Sequence, residues 1–276
     1  MINLKVSVIL PYFNGKEFVK EAIDSVLGQS YLDLELLVID DGSVSQTDTI
    51  YLKDLVGSYH DDRLRYFYTV NSGLSKTRNL GISHSAAPYI AFIDQDDYWR
   101  KDKLQQQIDV LRGNSKAQLV FTDCVLFGEN NKIHPHPLRR HFKSGFVPNT
   151  YVKMLRSNFV PCSSVIFSRL FSLKIGISNP DFVAAPDYEY FVRFAENCDF
   201  YFLNEPLTHI RLHKRNTSKQ EMRLNLECLD VLIRRNLPGL QHKAMASRQF
   251  LKLIFSIMLL WLSKLWSNAM QHKGLN

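Results

Sequence analysis

Cysteine is scarce in this 276-residue sequence: Cys124, Cys162, Cys198 and Cys228 stand far apart, with no C-x-x-C pair among them. That spacing excludes a disulfide-stapled scaffold and a cysteine zinc ribbon, and implies reduced, mostly buried thiols in a cytosolic protein. An uninterrupted apolar run of about 20 residues, the length a membrane span needs, is also missing. The N-terminus has no charged segment ahead of a long apolar one, so no secretory leader is expected. Acidic residues are the minority: 27 Asp and Glu stand against 34 Lys and Arg, a formal charge of +7. Such an excess suits an anionic partner, whether nucleotide, acidic lipid or nucleic acid. Nucleic acid ranks last, because the basic stretch 132–143 has no glycines interleaved among its Arg and Lys residues.

Hydrophobic residues at 45% and charged residues at 22% then exclude a disordered chain and a coiled coil. The first third alternates short apolar runs with helical spacing. Val6 to Leu10, Leu36 to Ile39, Leu64 to Val70, Tyr89 to Ile93 and Leu119 to Phe127 read as strands. Phe18, Val19, Ala22, Ile23, Val26 and Leu27 share a helix face, residues 74–85 form a second helix, and Leu104, Ile108 and Leu111 mark a third. The pattern predicts an α/β fold, a mostly parallel central sheet flanked by helices. Further on, Ser163 to Phe167 is expected as a strand, Tyr188 to Ala195 as a helix, and Phe200 to Leu212 as short strands. From Arg223 the chain is helical. Residues 251–266 are nearly all apolar, with Lys252, Ser256 and Ser263 on one stripe, which predicts an amphipathic helix lying on a membrane surface, with a terminal helix docked on the core or on another subunit as the competing reading.

Ligands of parallel sheets bind beyond the carboxyl ends of the strands. Asp40-Asp41-Gly42-Ser43 and Asp94-Gln95-Asp96-Asp97 both follow apolar strands, and Pro11 ends the first. Asp40-Asp41 can accept hydrogen bonds from a base or ribose, or serve only as a turn and cap. Three carboxylates in four residues repel unless something neutralises them. A Mg²⁺ or Mn²⁺ ion bridging to a diphosphate does so, and a solvated acidic turn is the competing reading. Residues 71–79 open a helix with small polar side chains followed by Lys76 and Arg78, suited to an anion or to plain capping. Asp187 follows Pro186 ahead of an apolar helix, an N-cap position compatible with catalysis, and His213 stands just past a strand.

In order, Val8-Ile9-Leu10-Pro11-Tyr12-Phe13-Asn14, Glu35 to Ser43, Gly73 to Gly81, Ile93 to Trp99, Asp187-Tyr188-Glu189 and Arg211 to Ser218 resemble the inverting family 2 glycosyltransferases of GT-A fold. The resemblance is dense over residues 1–125, patchier to 218 and absent from the tail. It implies a GT-A domain at 1–218, with a nucleotide-sugar half at 1–125 and an acceptor half at 126–218, and a helical extension at 219–276. It assigns Pro11, Tyr12 and Asp41 to the nucleotide pocket, Asp94 to the ribose and metal, Asp96 to the divalent ion, Arg78 to the diphosphate, Asp187 to the general base and His213 to the metal and phosphates. The implied cofactors are Mn²⁺ or Mg²⁺ and a nucleotide-sugar donor, with UDP the implied nucleotide. The acceptor would be a glycan or lipid-linked hydroxyl at the cytosolic face of the membrane, in bacterial surface polysaccharide synthesis. The sequence departs from the family at Val44-Ser45 and at Pro186. A nucleotidyltransferase would show a Gly-rich basic loop where Pro11 to Asn14 stand, and a degenerate sugar-nucleotide-binding scaffold would not need Asp96 and Asp187.

Overall fold

The computed structural model describes residues 4–44, 46–128, 134–135, 138, 141–213 and 221–236. The chain opens with β1 (Val6–Tyr12), α1 (Val19–Leu27), β2 (Leu34–Asp41), α2 (Gln46–Ser58), β3 (Leu64–Thr69), α3 (Leu74–His84) and β4 (Tyr89–Phe92). It continues through β5 (Tyr98–Trp99), α4 (Lys103–Gly113), β6 (Leu119–Gly128), β7 (His134–Pro135), β8 (Gly145–Phe146) and α5 (Thr150–Arg156). After a 3₁₀ turn at Cys162–Ser164 come β9 (Ile166–Ser168), α6 (Arg169–Ile175), α7 (Pro186–Ala195), β10 (Tyr201–Leu212) and α8 (Glu221–Asn236).

One sheet runs in the order β3-β2-β1-β4-β9-β6-β10-β5, with β7 on β6 and β8 on β10. Every residue of β1 and β2 is buried, as expected of central strands covered on both faces. Successive side chains point to opposite faces, so Leu37 and Ile39 enter one core while Leu36 and Val38 enter the other. The first four strands are parallel. Beyond them β9 pairs antiparallel with both β4 and β6, β6 and β10 are parallel, and β5 is antiparallel, so the parallel pattern is strictest in the first half.

The chain builds outward from β1 through β2 to β3 and then returns to β4 on the other side. That reversal leaves a crevice beyond the ends of β1 and β4, where an open α/β sheet binds its ligands. Helix α3 lies tight against β1: a Cβ on Gly81 would fall 2.6 Å from the Ile9 side chain. This close approach aims the other end of α3 at the crevice.

Several elements differ from the sequence expectations. Ser163 is not in a strand; Ser164 Oγ donates to the Pro161 carbonyl (2.7 Å), which tightens the chain into a 3₁₀ turn, and the strand begins only at Ile166. Residues 201–212 form one strand rather than several, because the register slips between Leu203 and Thr208 absorb Pro206 without ending it. Helices α2, α5 and α6 were not anticipated. Helix α8 packs on α7, with Val231 and Leu232 buried in the same cluster as Tyr188 and Phe191. The proposed membrane-surface helix at 251–266 lies outside the described residues. Among the described residues no helix is long and apolar enough to cross a membrane.

Candidate active site

The acidic segment after β4 is held by a network of hydrogen bonds. Ile93 N–H donates to the Ile9 carbonyl (3.2 Å), the last rung between β4 and β1. Asp94 N–H donates to Ser163 Oγ (3.0 Å), and Ser163 Oγ donates to Asp97 (2.5 Å). Trp99 Nε1 donates to the Ser163 carbonyl (2.7 Å), and Arg211 N–H donates to Asp97 (3.0 Å). Burial, then the neighbouring Asp96 and Asp94, push the Asp97 carboxyl well above its usual range, so it serves as a buried pin. Gln95 turns the other way. Its amide accepts from Phe13 N–H (2.9 Å) and donates to the Phe13 carbonyl (3.2 Å), clasping the end of β1.

Arg78, on α3, joins two regions distant in sequence. Its guanidinium donates to Asp94 (2.6 Å) and to Asp187, and it stacks over Phe92 at 5.1 Å. The Arg78 side chain is only 3% exposed. Burial works against its charge, but Asp187 and Asp94 more than offset that, and its pKa is raised. Asp94 is pushed up to about 6, by burial first; Arg78 pulls it back, and Asp187 and Asp96 add to the rise. Cys162 sits beside Arg78 and Asp187, and burial holds it as a thiol.

Asp96 pairs with the end of β10. Its Oδ2 lies 2.7 Å from His213 Nε2, and the His213 ring stacks on Phe18 at 5.2 Å. Arg211 is wedged between the Phe18 and Phe127 rings, and its Nε donates to the Asp96 carbonyl (3.1 Å). Among the described residues no group of three His, Cys, Asp or Glu side chains could cage a metal. The Asp96 carboxylate still suits Mg²⁺ or Mn²⁺, hard ions commonly held by one or two carboxylates together with substrate phosphates and water, with the His213 imidazole beside it as a softer donor.

On the other wall, Asp41 at the end of β2 is occupied. Its carboxylate accepts from Ser72 N–H (2.8 Å) and Gly73 N–H (2.9 Å), capping the loop into α3. Tyr12 is buried, and its hydroxyl donates to Asp48 (3.3 Å). Pro11 sits beside Ile39 near the carboxyl end of β1.

The predicted residues therefore share the carboxyl-end rim. Asp94, Arg78 and Asp187 are in direct contact, as are Asp96 and His213. Two engagements differ from the sequence expectation. Arg78, assigned to the diphosphate, is buried and committed to two carboxylates. Asp41 spends its carboxylate on backbone donors, as in the capping alternative. Ser163, Gln95 and Arg211 were not singled out as site residues; for Arg211 the signal was its position two residues before His213, and a hydroxyl or amide gives none.

The family model for Glycosyl transferase family 2 matches residues 7–172. An uncharacterized glycosyltransferase of Rickettsia typhi is 30% identical over 216 residues, covering 77% of this chain and 65% of that protein. Bacillus subtilis TuaG, named as a teichuronic acid biosynthesis glycosyltransferase, is 31% identical over 167 residues, covering 59% of this chain and 62% of that protein. The chain thus spans less than two thirds of these relatives. S. aureus TarS 1–349 in complex with UDP-GlcNAc superposes with a TM-score of 0.68 at 17% identity, covering 91% of this chain and 73% of that one. The mannosyltransferase PcManGT of Pyrobaculum calidifontis, in complex with GDP-Man and Mn²⁺, gives 0.65 at 17% identity, covering 99% and 82%. The matched segment contains the crevice-forming strands β1 and β4 and the acidic segment between β4 and β5, and the chain belongs to glycosyl transferase family 2.

Proposed function

We propose that the chain transfers a sugar from a nucleotide-sugar, a UDP-sugar in the first instance, to a hydroxyl of a glycan or lipid-linked acceptor, with inversion. One observation carries this reading: Arg78 ties Asp187 to the acidic segment that bears Asp96. The candidate base is thereby one guanidinium away from Asp94, which stands two residues before the candidate ion-holding Asp96. Asp187, on the first turn of α7, accepts the proton of the attacking hydroxyl, a role worth roughly 10²–10⁴-fold. Arg78 orients that carboxylate rather than holding phosphate. Attack opposite to the departing diphosphate inverts the anomeric carbon. Asp96 and His213 are the residues that would hold a divalent ion, which when bound supplies charge neutralisation for the leaving group. Pro11 and Tyr12 at the end of β1 back the nucleotide wall, and Asp41 shapes it by holding the Ser72–Gly73 loop. The nucleotide-sugars in the titles of the TarS and PcManGT structures support this donor class, and the TuaG name supports a surface-polysaccharide acceptor.

Nucleoside diphosphate release is measured against UDP-, GDP- and dTDP-sugars with Mn²⁺ or Mg²⁺. Release should require the ion, Asp96→Ala should abolish it, and Asp187→Asn should keep nucleotide binding while losing transfer. Full turnover by Asp187→Asn would remove the base assignment. Residues 251–266 are proposed to rest on the inner membrane surface; truncation after Ser247 should release the protein from vesicles of anionic lipid, and unchanged sedimentation would defeat that idea.

A further inference from the structure

Helix α7 begins without a cap of its own. Ala185 at the N-cap has no side-chain acceptor, and Pro186 at the first helical position has no N–H. The segment leading into it is held instead by a side chain of α8. Glu227 Oε2 accepts from three consecutive backbone donors, Val183 N–H (2.9 Å), Ala184 N–H (2.8 Å) and Ala185 N–H (2.8 Å). Its other oxygen accepts from Arg223 Nε (2.9 Å). Three successive amides converging on one anion form a nest. Here the anion belongs to the protein, its side chain is 14% exposed, and these donors outweigh burial in lowering its pKa. Val231 and Leu232 seat helix α8 in the same core cluster as Tyr188 and Phe191. Asp187 stands two residues beyond the last clamped amide. Its carboxylate is gripped by Arg78 on one side while its backbone is gripped, through Ala185, on the other.

We propose that Glu227 is the positioning residue for Asp187, which makes α8 a working part of the transfer site and not a separate extension. The inference rests on the reading of Asp187 as base. A carboxylate displaced by about 1 Å can cost on the order of 10²-fold in rate. Glu227→Ala should therefore lower kcat by about that factor, and Glu227→Gln, which keeps an oxygen acceptor but not the charge, should lower it less. Affinity for UDP with Mn²⁺, measured by calorimetry, should not change in either variant, because the nucleotide wall lies on β1 and β2. Combining Glu227→Ala with Asp187→Asn gives the decisive measurement, read on the residual transfer that Asp187→Asn keeps, roughly 10²–10⁴-fold below the parent: if Glu227 acts only through Asp187, the double variant is no slower than Asp187→Asn alone. Wild-type kcat in both Glu227 variants would overturn the inference. So would a further drop in the double variant equal to the drop in the parent, since that marks a general structural effect. Should Glu227→Ala fail to fold, Glu227→Gln carries the same comparison. Full turnover by Asp187→Asn strikes the base assignment, whereas an inactive Asp187→Asn beside a fully active Glu227→Ala strikes only the role of α8.

Discussion

Replacing Arg78 by methionine keeps most of the side-chain volume and removes the charge that Asp94 and Asp187 share. Taking one partner from a buried ion pair costs about 3–5 kcal/mol, because the other charge is left without compensation. Asp94 and Asp187 keep 34% and 29% of their side-chain exposure, so water recovers part of the loss. The lower bound, about 3 kcal/mol, is the appropriate figure. In a chain of this size that corresponds to a fall in Tm of roughly 6–12 °C. The damage is electrostatic, so it should be repairable. Adding Asp94→Asn or Asp187→Asn to Arg78→Met should return part of the stability, and adding both should return most of it, since neutral groups need no counter-charge. Chemical denaturation at pH 7 of the parent, the single variants and the combinations measures each step. If Arg78→Met stays within about 1 kcal/mol of the parent, or if the asparagines deepen the loss, then the guanidinium is not what holds these carboxylates together.

Ser163→Ala removes the hydroxyl that donates to buried Asp97 and accepts from Asp94 N–H; it should cost about 1–3 kcal/mol by urea titration, and a loss under about 0.5 kcal/mol would refute the network. At Gly15 an added Cβ would come within 2.3 Å of the Gln95 amide, so Gly15→Ala should cost about 1–3 kcal/mol by opening the Gln95–Phe13 clasp. In a Gln95→Ala background the same change should be nearly silent, and an undiminished penalty there would disprove the cause. Glu35 is 6% exposed; burial raises its pKa, but Ser7, Ala86 N–H and Arg65 together hold it below the ordinary 4.5. Its stabilising contribution is therefore complete above pH 4.5 and lost as pH falls through the folded value. The stability gap between parent and Glu35→Gln should shrink from pH 7 to pH 3, and a pH-independent gap would contradict this.

The strands that frame the crevice were legible because β1, β2 and β4 lie buried in mid-sheet and so appear as short, mostly apolar runs. Helix α1 was legible for the complementary reason: Val19, Ala22, Ile23 and Val26 repeat with the helical period and are all buried. Helix α2 left a weaker trace: Leu52 is fully buried, Tyr51, Leu55 and Val56 pack on the core only half-buried, and most of the other described residues are polar or exposed. Carboxylates at strand ends could be located in the sequence, but their partners could not. Asp96 meets His213 across 117 positions and Arg78 meets Asp187 across 109. Only the resemblance linked those residues, and it could not tell a phosphate-binding guanidinium from one sealed between two acids. Glu227 and Ser163 escaped notice because a side chain that bonds backbone amides follows no motif.

The two sides of the crevice differ in build. One is sheet: β1 and β4 share a continuous ladder, and a single amide side chain, Gln95, laces their ends to the Phe13 backbone. The other is a helix start suspended between an arginine and a glutamate, with Val183 44% exposed in the segment leading into it. Both banks are thus pinned by side chains from elsewhere in the chain, so the spacing between them is set before any ligand arrives.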